Sequence, residues 1–286
     1  MQADAKCGKN IECDRIPARE EWFVASETSD FLVVVKGSGL PSAPLNGGGL
    51  SVFESVSAVY PDILSVHGIK EGEGGLVHRI DAETCGLLLI ARKDEFFRRI
   101  EECRSQGSFI KKYTAYSVVD VVDCGDDDRS DDSGTLPKNN VLPNIGEITS
   151  RFRPFGKKGA AVKPVFDEEA GMADRKKAGL RLYTTEIVDA AVIAQKSGKS
   201  LIRICCRINE GFRHQVRAHL AYSGFPVFGD AVYNAQSRQN GCADDDMLFF
   251  ASGISFVETD GTPVSVRIPT ALMDEKAIRA FSEIQA

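Results

Sequence analysis

The sequence predicts an α+β fold, a mixed, mostly antiparallel central sheet with flanking helices. Segments of strand character outnumber those with a helical period, and several follow one another with only a turn between, which favours antiparallel neighbours over helical crossovers. The 286-residue chain is also long enough to bury a sound core, and its 43% apolar and 27% charged residues are the balance of an ordinary globule.

Residues 1–24 form an N-terminal extension, polar and without period up to about Glu20 and expected to be partly disordered, while 25–286 form one domain. Phe31 to Val35 is a β-branched run bounded by Asp30 and Gly37, suited to a buried strand. Ser51 to Tyr60 predicts a helix, with Ser51 as N-cap and Pro61 just beyond its end. After a short loop closed by Gly86, Leu87 to Ala91 reads as a central strand. Asp94 is expected to cap a helix in which Phe96, Phe97, Ile100 and Cys103 keep a 3.6-residue period until Gly107. Tyr113 to Val122 alternates as a strand does. Loop insertions are expected near 123–144, where Asp, Ser, Gly, Pro and Asn dominate, and near 167–178. Leu182 to Ala190 and Lys199 to Asn209 predict strands joined near Gly198, and a helix should run from about Arg213 to Ser223, ended by Gly224. Leu248 to Phe256 and Val264 to Ile268 complete the strands, followed by a helix near Asp274 to Ile284.

A net charge of −6 argues against indiscriminate nucleic-acid binding, which needs lysines and arginines to displace counterions. Any such surface must be local, and Arg151, Arg153, Lys157, Lys158 and Lys163 lie in a stretch without an acid. The eight cysteines make no C-x-x-C pair, so they predict neither zinc nor a disulfide framework but small apolar residues in a reducing compartment. No run of about 18 apolar residues and no signal-like leader is present, and a cytoplasmic protein is expected.

Four motifs occur in order: His78-Arg79-Ile80-Asp81 with Thr84 and Gly86-Leu87-Leu88; Lys111-Lys112-Tyr113-Thr114-Ala115; Gly211-Phe212-Arg213-His214-Gln215-Val216-Arg217-Ala218-His219; and Gly224-Phe225-Pro226-Val227-Phe228-Gly229-Asp230 ending at Tyr233. Together they resemble the RluA-type family of RNA pseudouridine synthases, over roughly Asp30 to Phe256. Two departures are visible: Phe212 stands where the family has arginine or lysine, and Gly37 replaces a proline, which predicts a looser turn. Histidine-Arg-Ile-Asp is superficially kinase-like, but no D-F-G or glycine-rich loop accompanies it, and the deaminase signature is absent.

The resemblance implies a pseudouridine synthase catalytic fold and an enzyme that isomerises uridine in structured RNA without cofactor or metal, ribosomal RNA being preferred over transfer RNA. By the same resemblance Asp81 is the catalytic carboxylate, as nucleophile or as base at the sugar, and Tyr113 packs against the target base. Arg217 is the candidate counter-charge that keeps Asp81 ionised beside a low-dielectric strand. Arg213 and Arg217 are four apart, hence on one helical face, with Arg213 spare for a phosphate. Arg79, Lys111, Arg151, Arg153, Lys157, Lys158, Arg213 and His214 are candidate RNA-binding residues. Arg79 leans towards bracing the Asp81 loop, and His78 reads as a satisfied structural histidine. Relatives often carry an S4-type domain, which is not expected here; RNA is the only partner expected, and a monomer suffices. The competing reading is a catalytically inactive RNA-binding or chaperone protein of the same fold.

Overall fold

The computed structural model describes residues 8–44, 49–70, 72–120, 142–168, 170–234 and 247–284. In chain order the strands are β1 (Lys9–Glu12), β2 (Trp22–Glu27), β3 (Phe31–Lys36), β4 (Cys85–Ala91), β5 (Ile110–Asp120), β6 (Gly146–Phe155), β7 (Ala161–Val165), β8 (Tyr183–Lys196), β9 (Lys199–Ile208), β10 (Phe249–Val257) and β11 (Pro263–Arg267). The helices are α1 (Val52–Val59), α2 (Asp94–Ser105), α3 (Met172–Lys177), α4 (Gln215–Tyr222) and α5 (Thr270–Ser282).

The strands join in the order β2-β3-β4-β10-β5-β9-β8-β6-β7, with β11 branching from β10 and carrying β1. Among the described residues only β4–β10 and β1–β11 are parallel pairs; the rest are antiparallel, as the sequence predicts. The continuous apolar runs of β3 and β4 are buried at every position, because the sheet is covered on both faces there. Alternate residues feed two cores. Phe31, Val33, Val35, Leu87 and Leu89 join α2 and α5 on one face, and Leu32, Val34, Leu88 and Ile90 join α1 and α4 on the other. The second face carries the site.

Ser51 caps α1 as expected, through a capping box with Glu54, worth about 1 kcal/mol. Elsewhere the structure corrects the sequence reading. Part of the N-terminal segment expected to be aperiodic forms β1, and Cys13 just after it is buried. The span near 167–178 contains α3. The insertion near 123–144 lies outside the described residues except at its last three positions. Asp94 is the first helical residue of α2 rather than its cap, and its carboxylate accepts the His67 backbone N–H at 2.7 Å. Gly86 does not close a loop but lies within β4, where a Cβ would meet the Ala251 backbone at 2.4 Å, so it admits the parallel strand β10. Gly37 is no loosened turn either: a Cβ there would stand 2.0 Å from the Ala18 carbonyl.

Candidate active site

Asp81 stands on the segment between the Leu76–Ile90 bridge and β4, and that segment is clamped on both sides. Ser42 Oγ donates to the Ile80 carbonyl at 2.7 Å and accepts the Ile80 N–H at 3.1 Å. On the far side the fully buried Lys36 ammonium donates to the carbonyls of Gly37, Ala82 and Thr84 at 3.0, 2.9 and 2.6 Å. The last residue of β3 is thus an ammonium strut that fixes the backbone next to Asp81.

Arg217 reaches Asp81 from α4. Residue 214 begins the helix in a left-handed conformation, φ 56°, so the helix starts at Gln215 and Arg213 is not on its face, contrary to the expected four-residue pairing. Gln215 closes the entry by accepting the Phe212 N–H at 2.9 Å and donating to the Thr184 carbonyl at 2.9 Å. His219 lies within hydrogen-bond distance of Thr185 Oγ1, 2.9 Å, and Ser150 Oγ, 2.8 Å, and burial lowers its pKa to about 4, so it serves as a neutral anchor. Val216 and Leu220 dock into the core as the sequence predicts. With the helix fixed on β8 and β6, Arg217 has one place to go.

There its Nη1 donates to Asp81 Oδ2 at 3.0 Å, while Nε and Nη2 grip Asp230 at 2.7 and 2.8 Å. Asp230 is fully buried and also accepts the N–H groups of Val232 and Tyr233, so its charge is shared among three partners. Burial alone would lower the Arg217 pKa, but the bonds and charge of Asp230, and then of Asp81, carry it well above its ordinary value. The Tyr233 ring lies 5.5 Å from Arg217 Cζ, and its hydroxyl accepts the Val162 N–H and sits 3.1 Å from His214 Nδ1. His214 Nε2 stands 3.7 Å from Asp81 Oδ2; burial lowers its pKa against the pull of Asp81, keeping the ring neutral.

Beside Asp81 opens a cavity of about 580 Å³, within the range of small-molecule sites, lined by Arg79, Asp81, Lys111, Tyr113, Arg213 and His214 among others. Tyr113 stacks on Phe249 with centroids 5.3 Å apart and planes at 10°, and burial followed by the charge of Asp81 raises its pKa far above the ordinary tyrosine value. Its hydroxyl therefore stays protonated, as a hydrogen-bond donor or proton shuttle at the end of a flat apolar platform.

The structure thus brings Asp81, Tyr113 and Arg217 together with four of the eight candidate RNA-binding residues. Arg79 is exposed at the rim and pairs with Glu73 at 3.3 Å. Arg213 donates to the carbonyls of Gly159 and Ala161, tying α4's entry to the β6–β7 hairpin. The other four occupy that hairpin outside the cavity lining. Arg151 faces Asp167 at 3.2 Å and Arg153 faces Asp174 at 2.8 Å, whereas Lys157 and Lys158 at the tip are exposed and unpaired among the described residues. Of the other arginines near the third motif, Arg203 serves Asp274 and Arg207 serves Glu186, so neither belongs to the site. Sequence reasoning missed Asp230, although the fourth motif contained it, and Lys36, although it ends an apolar run and stands just before the position where the family has proline.

The sequence pattern described as RNA pseudouridylate synthase matches residues 30–222. The chain belongs to the RNA pseudouridylate synthase family. That agrees with the enzyme class expected from the four motifs. Among similar proteins are an uncharacterised RNA pseudouridine synthase of Zymomonas mobilis, 26% identical over 89% of this chain and 94% of that one, and the tRNA pseudouridine(31) synthase of Saccharomyces cerevisiae, 23% identical over 79% and 50%. The ribosomal large subunit pseudouridine synthase D of Yersinia pestis is 21% identical over 80% of this chain and 58% of its own length. The chain therefore spans nearly all of the first and only 50 to 58% of the other two. The human RNA pseudouridylate synthase domain containing 1 shares the fold, with TM-score 0.57 at 18% identity over 90% of this chain and 88% of that one. No helix among the described residues is long and apolar enough to cross a membrane.

Proposed function

We propose that this chain converts specific uridines to pseudouridine in structured RNA through Asp81, with Tyr113 against the target base and Arg217 pairing the carboxylate. The observation that carries the reading is the 3.0 Å bond from Arg217 Nη1 to Asp81 Oδ2 at the wall of a cavity that Tyr113 also lines. The uridine leaves its stack and enters that cavity, because none of these groups can reach a base inside a duplex. Asp81 then adds to the ribose C1′ or removes a sugar proton; the glycosidic bond to N1 breaks, the base turns, and C5 is joined to C1′ with loss of its proton.

Arg79, Lys111, Arg213 and His214 contact the nucleotide at the cavity, and Arg151, Arg153, Lys157 and Lys158 extend the RNA surface along the hairpin. In this reading residues 25–286 are the catalytic domain, it works as a monomer, and ribosomal RNA is preferred over transfer RNA. Cytoplasmic action is supported by the free cysteines Cys13, Cys85, Cys103, Cys205 and Cys206.

Release of tritium from RNA labelled at uridine C5 tests the proposal. The wild-type chain should release it and Asp81→Asn should not. Tight RNA binding with no release from either would instead support the non-catalytic reading. Mapping pseudouridine in cellular RNA with and without the protein then identifies the substrate.

A further inference from the structure

Two donors of cavity-lining residues have no acceptor among the described residues. Lys111 on β5 is only 8% exposed, yet its ammonium makes neither a hydrogen bond nor an ion pair among the described residues. The chain even clears room for it: a Cβ on Gly211 would stand 2.9 Å from Lys111 Nζ. His78 is the second. Its Nε2 accepts the Leu89 N–H at 3.2 Å, so in the neutral ring the proton is on Nδ1, and that N–H is buried with no partner among the described residues. The ring is neutral because burial, and then the charges of Lys111 and Arg104, hold its pKa well below the usual value.

Neighbouring charges do not relieve the pair. Arg104 is a second cation, engaged with the Val77 carbonyl and Glu101. Glu210 exerts a weak pull on Lys111 but is itself paired with Arg181. A buried N–H without an acceptor costs about 1–3 kcal/mol, and an uncompensated buried ammonium costs more. A methionine would fill the same volume without that penalty, so packing does not account for Lys111.

We propose that Lys111 and the His78 Nδ1–H form a subsite for a negatively charged oxygen of the extruded nucleotide. The inference rests on the pseudouridine synthase reading and adds the part of the substrate these groups hold. The oxygen has two possible sources. One is a phosphate of the target nucleotide. The other is the base: when the bond from C1′ to N1 breaks, its electron pair stays with uracil and the charge spreads onto O2 and O4. Tyr113 is two residues from Lys111 on the same face of β5, roughly 6–7 Å along the strand, so an ammonium flanks a base resting on that ring. A fixed donor aimed at developing charge in a water-poor pocket favours the transition state over the ground state.

The test compares wild type and Lys111→Met. The full chain, labelled with 15N-histidine, is titrated with uridine, uridine 5′-monophosphate and uridine 3′-monophosphate while the His78 ring is followed by NMR; kcat and KM come from tritium release. With a phosphate at the subsite, one monophosphate binds about tenfold tighter than uridine to wild type, and Lys111→Met erases the difference. With the base there, nucleoside and nucleotides bind alike, and Lys111→Met lowers kcat tenfold or more at unchanged KM. Affinities, kcat and KM all within twofold of wild type would overturn the inference while leaving the functional reading intact. A wild type that releases no tritium, but whose nucleotide-induced His78 shift disappears in Lys111→Met, would do the reverse. Lys111→Gln, which keeps a donor without the charge, serves as the second variant and should fall between the two.

Discussion

Two buried cations serve the same site, Lys111 lining the cavity and Arg217 standing behind its carboxylate Asp81, and they are treated in opposite ways. Arg217 is held by two carboxylates, three of its bonds falling between 2.7 and 3.0 Å, while Lys111 has no hydrogen-bond or ion-pair partner among the described residues. The difference separates a scaffold from a waiting donor. A fully paired ion is part of the folded structure with or without substrate, and an unpaired one weakens the fold until a ligand arrives. Substitutions at the two positions should therefore move stability in opposite directions while both impair turnover.

Arg217→Ala tests the scaffold half and should have the largest effect. It leaves Asp230 buried without its counter-charge and Asp81 without a fixed donor, so stability should fall by about 3–5 kcal/mol. Turnover should drop at least 100-fold with RNA affinity changed only a few-fold, as read by thermal unfolding, tritium release and filter binding. Equal losses in turnover and affinity would mean that Arg217 binds RNA rather than setting the carboxylate.

Lys36→Met probes the ammonium that has found its acceptors. It deprives three backbone carbonyls around the Asp81 segment of their donor, a loss on the order of 3 kcal/mol. The backbone beside Asp81 loses its strut, so kcat should fall roughly tenfold or more with KM unchanged. A variant that is less stable but keeps wild-type kcat would reduce Lys36 to a purely structural role.

These contrasts mark how far the sequence could be read. Asp81, Tyr113 and Arg217 were legible because motif order and residue type survive in one dimension, and the continuous apolar runs of β3 and β4 announced a sheet covered on both faces. The grip of Asp230 on Arg217 was not, since no helical or strand period links a helix position to a turn 13 residues on. Nor could a pattern reveal that Lys36 meets three carbonyls while Lys111 meets none among the described residues, because backbone oxygens from separate segments converge only in the folded chain. The paired-arginine reading failed at a single torsion: the left-handed residue 214 delays the helix by two positions. The strand β1 went unseen because four residues, Lys9–Glu12, show too little alternation, and its partner β11 lies at the other end of the chain.

Lys111→Met tests the waiting half through stability. Burial, with Arg104 adding to it, lowers the Lys111 pKa to about 8, against about 10.4 in an unfolded chain. The folded state thus binds the proton less well, and the penalty is fully present below pH 8. It is relieved as the pH rises from 8 to about 10.4, and is gone above that. Lys111→Met should therefore be more stable than wild type by a few kcal/mol at pH 7, with the gap closing across that window in urea titrations. A gap of the opposite sign would mean that the ammonium is already satisfied in the free protein.

The smallest effect belongs to the hairpin, where the same contrast recurs on the surface. Arg151 and Arg153 are matched by Asp167 and Asp174, but Lys157 and Lys158 at the tip are unmatched among the described residues. Matched charges offer RNA little, since a phosphate must first displace the carboxylate, whereas free lysines release counterions outright. Lys157→Ala with Lys158→Ala should weaken RNA binding several-fold and flatten the dependence of log affinity on log salt by about 1.4 to 1.8, the loss of two phosphate contacts. Arg151→Ala with Arg153→Ala should flatten it by less, and kcat at saturating RNA should stay at wild type in both. A steeper loss from the arginine pair would mean that the ion pairs open on binding, and that the hairpin's RNA contacts lie along its length rather than at its tip.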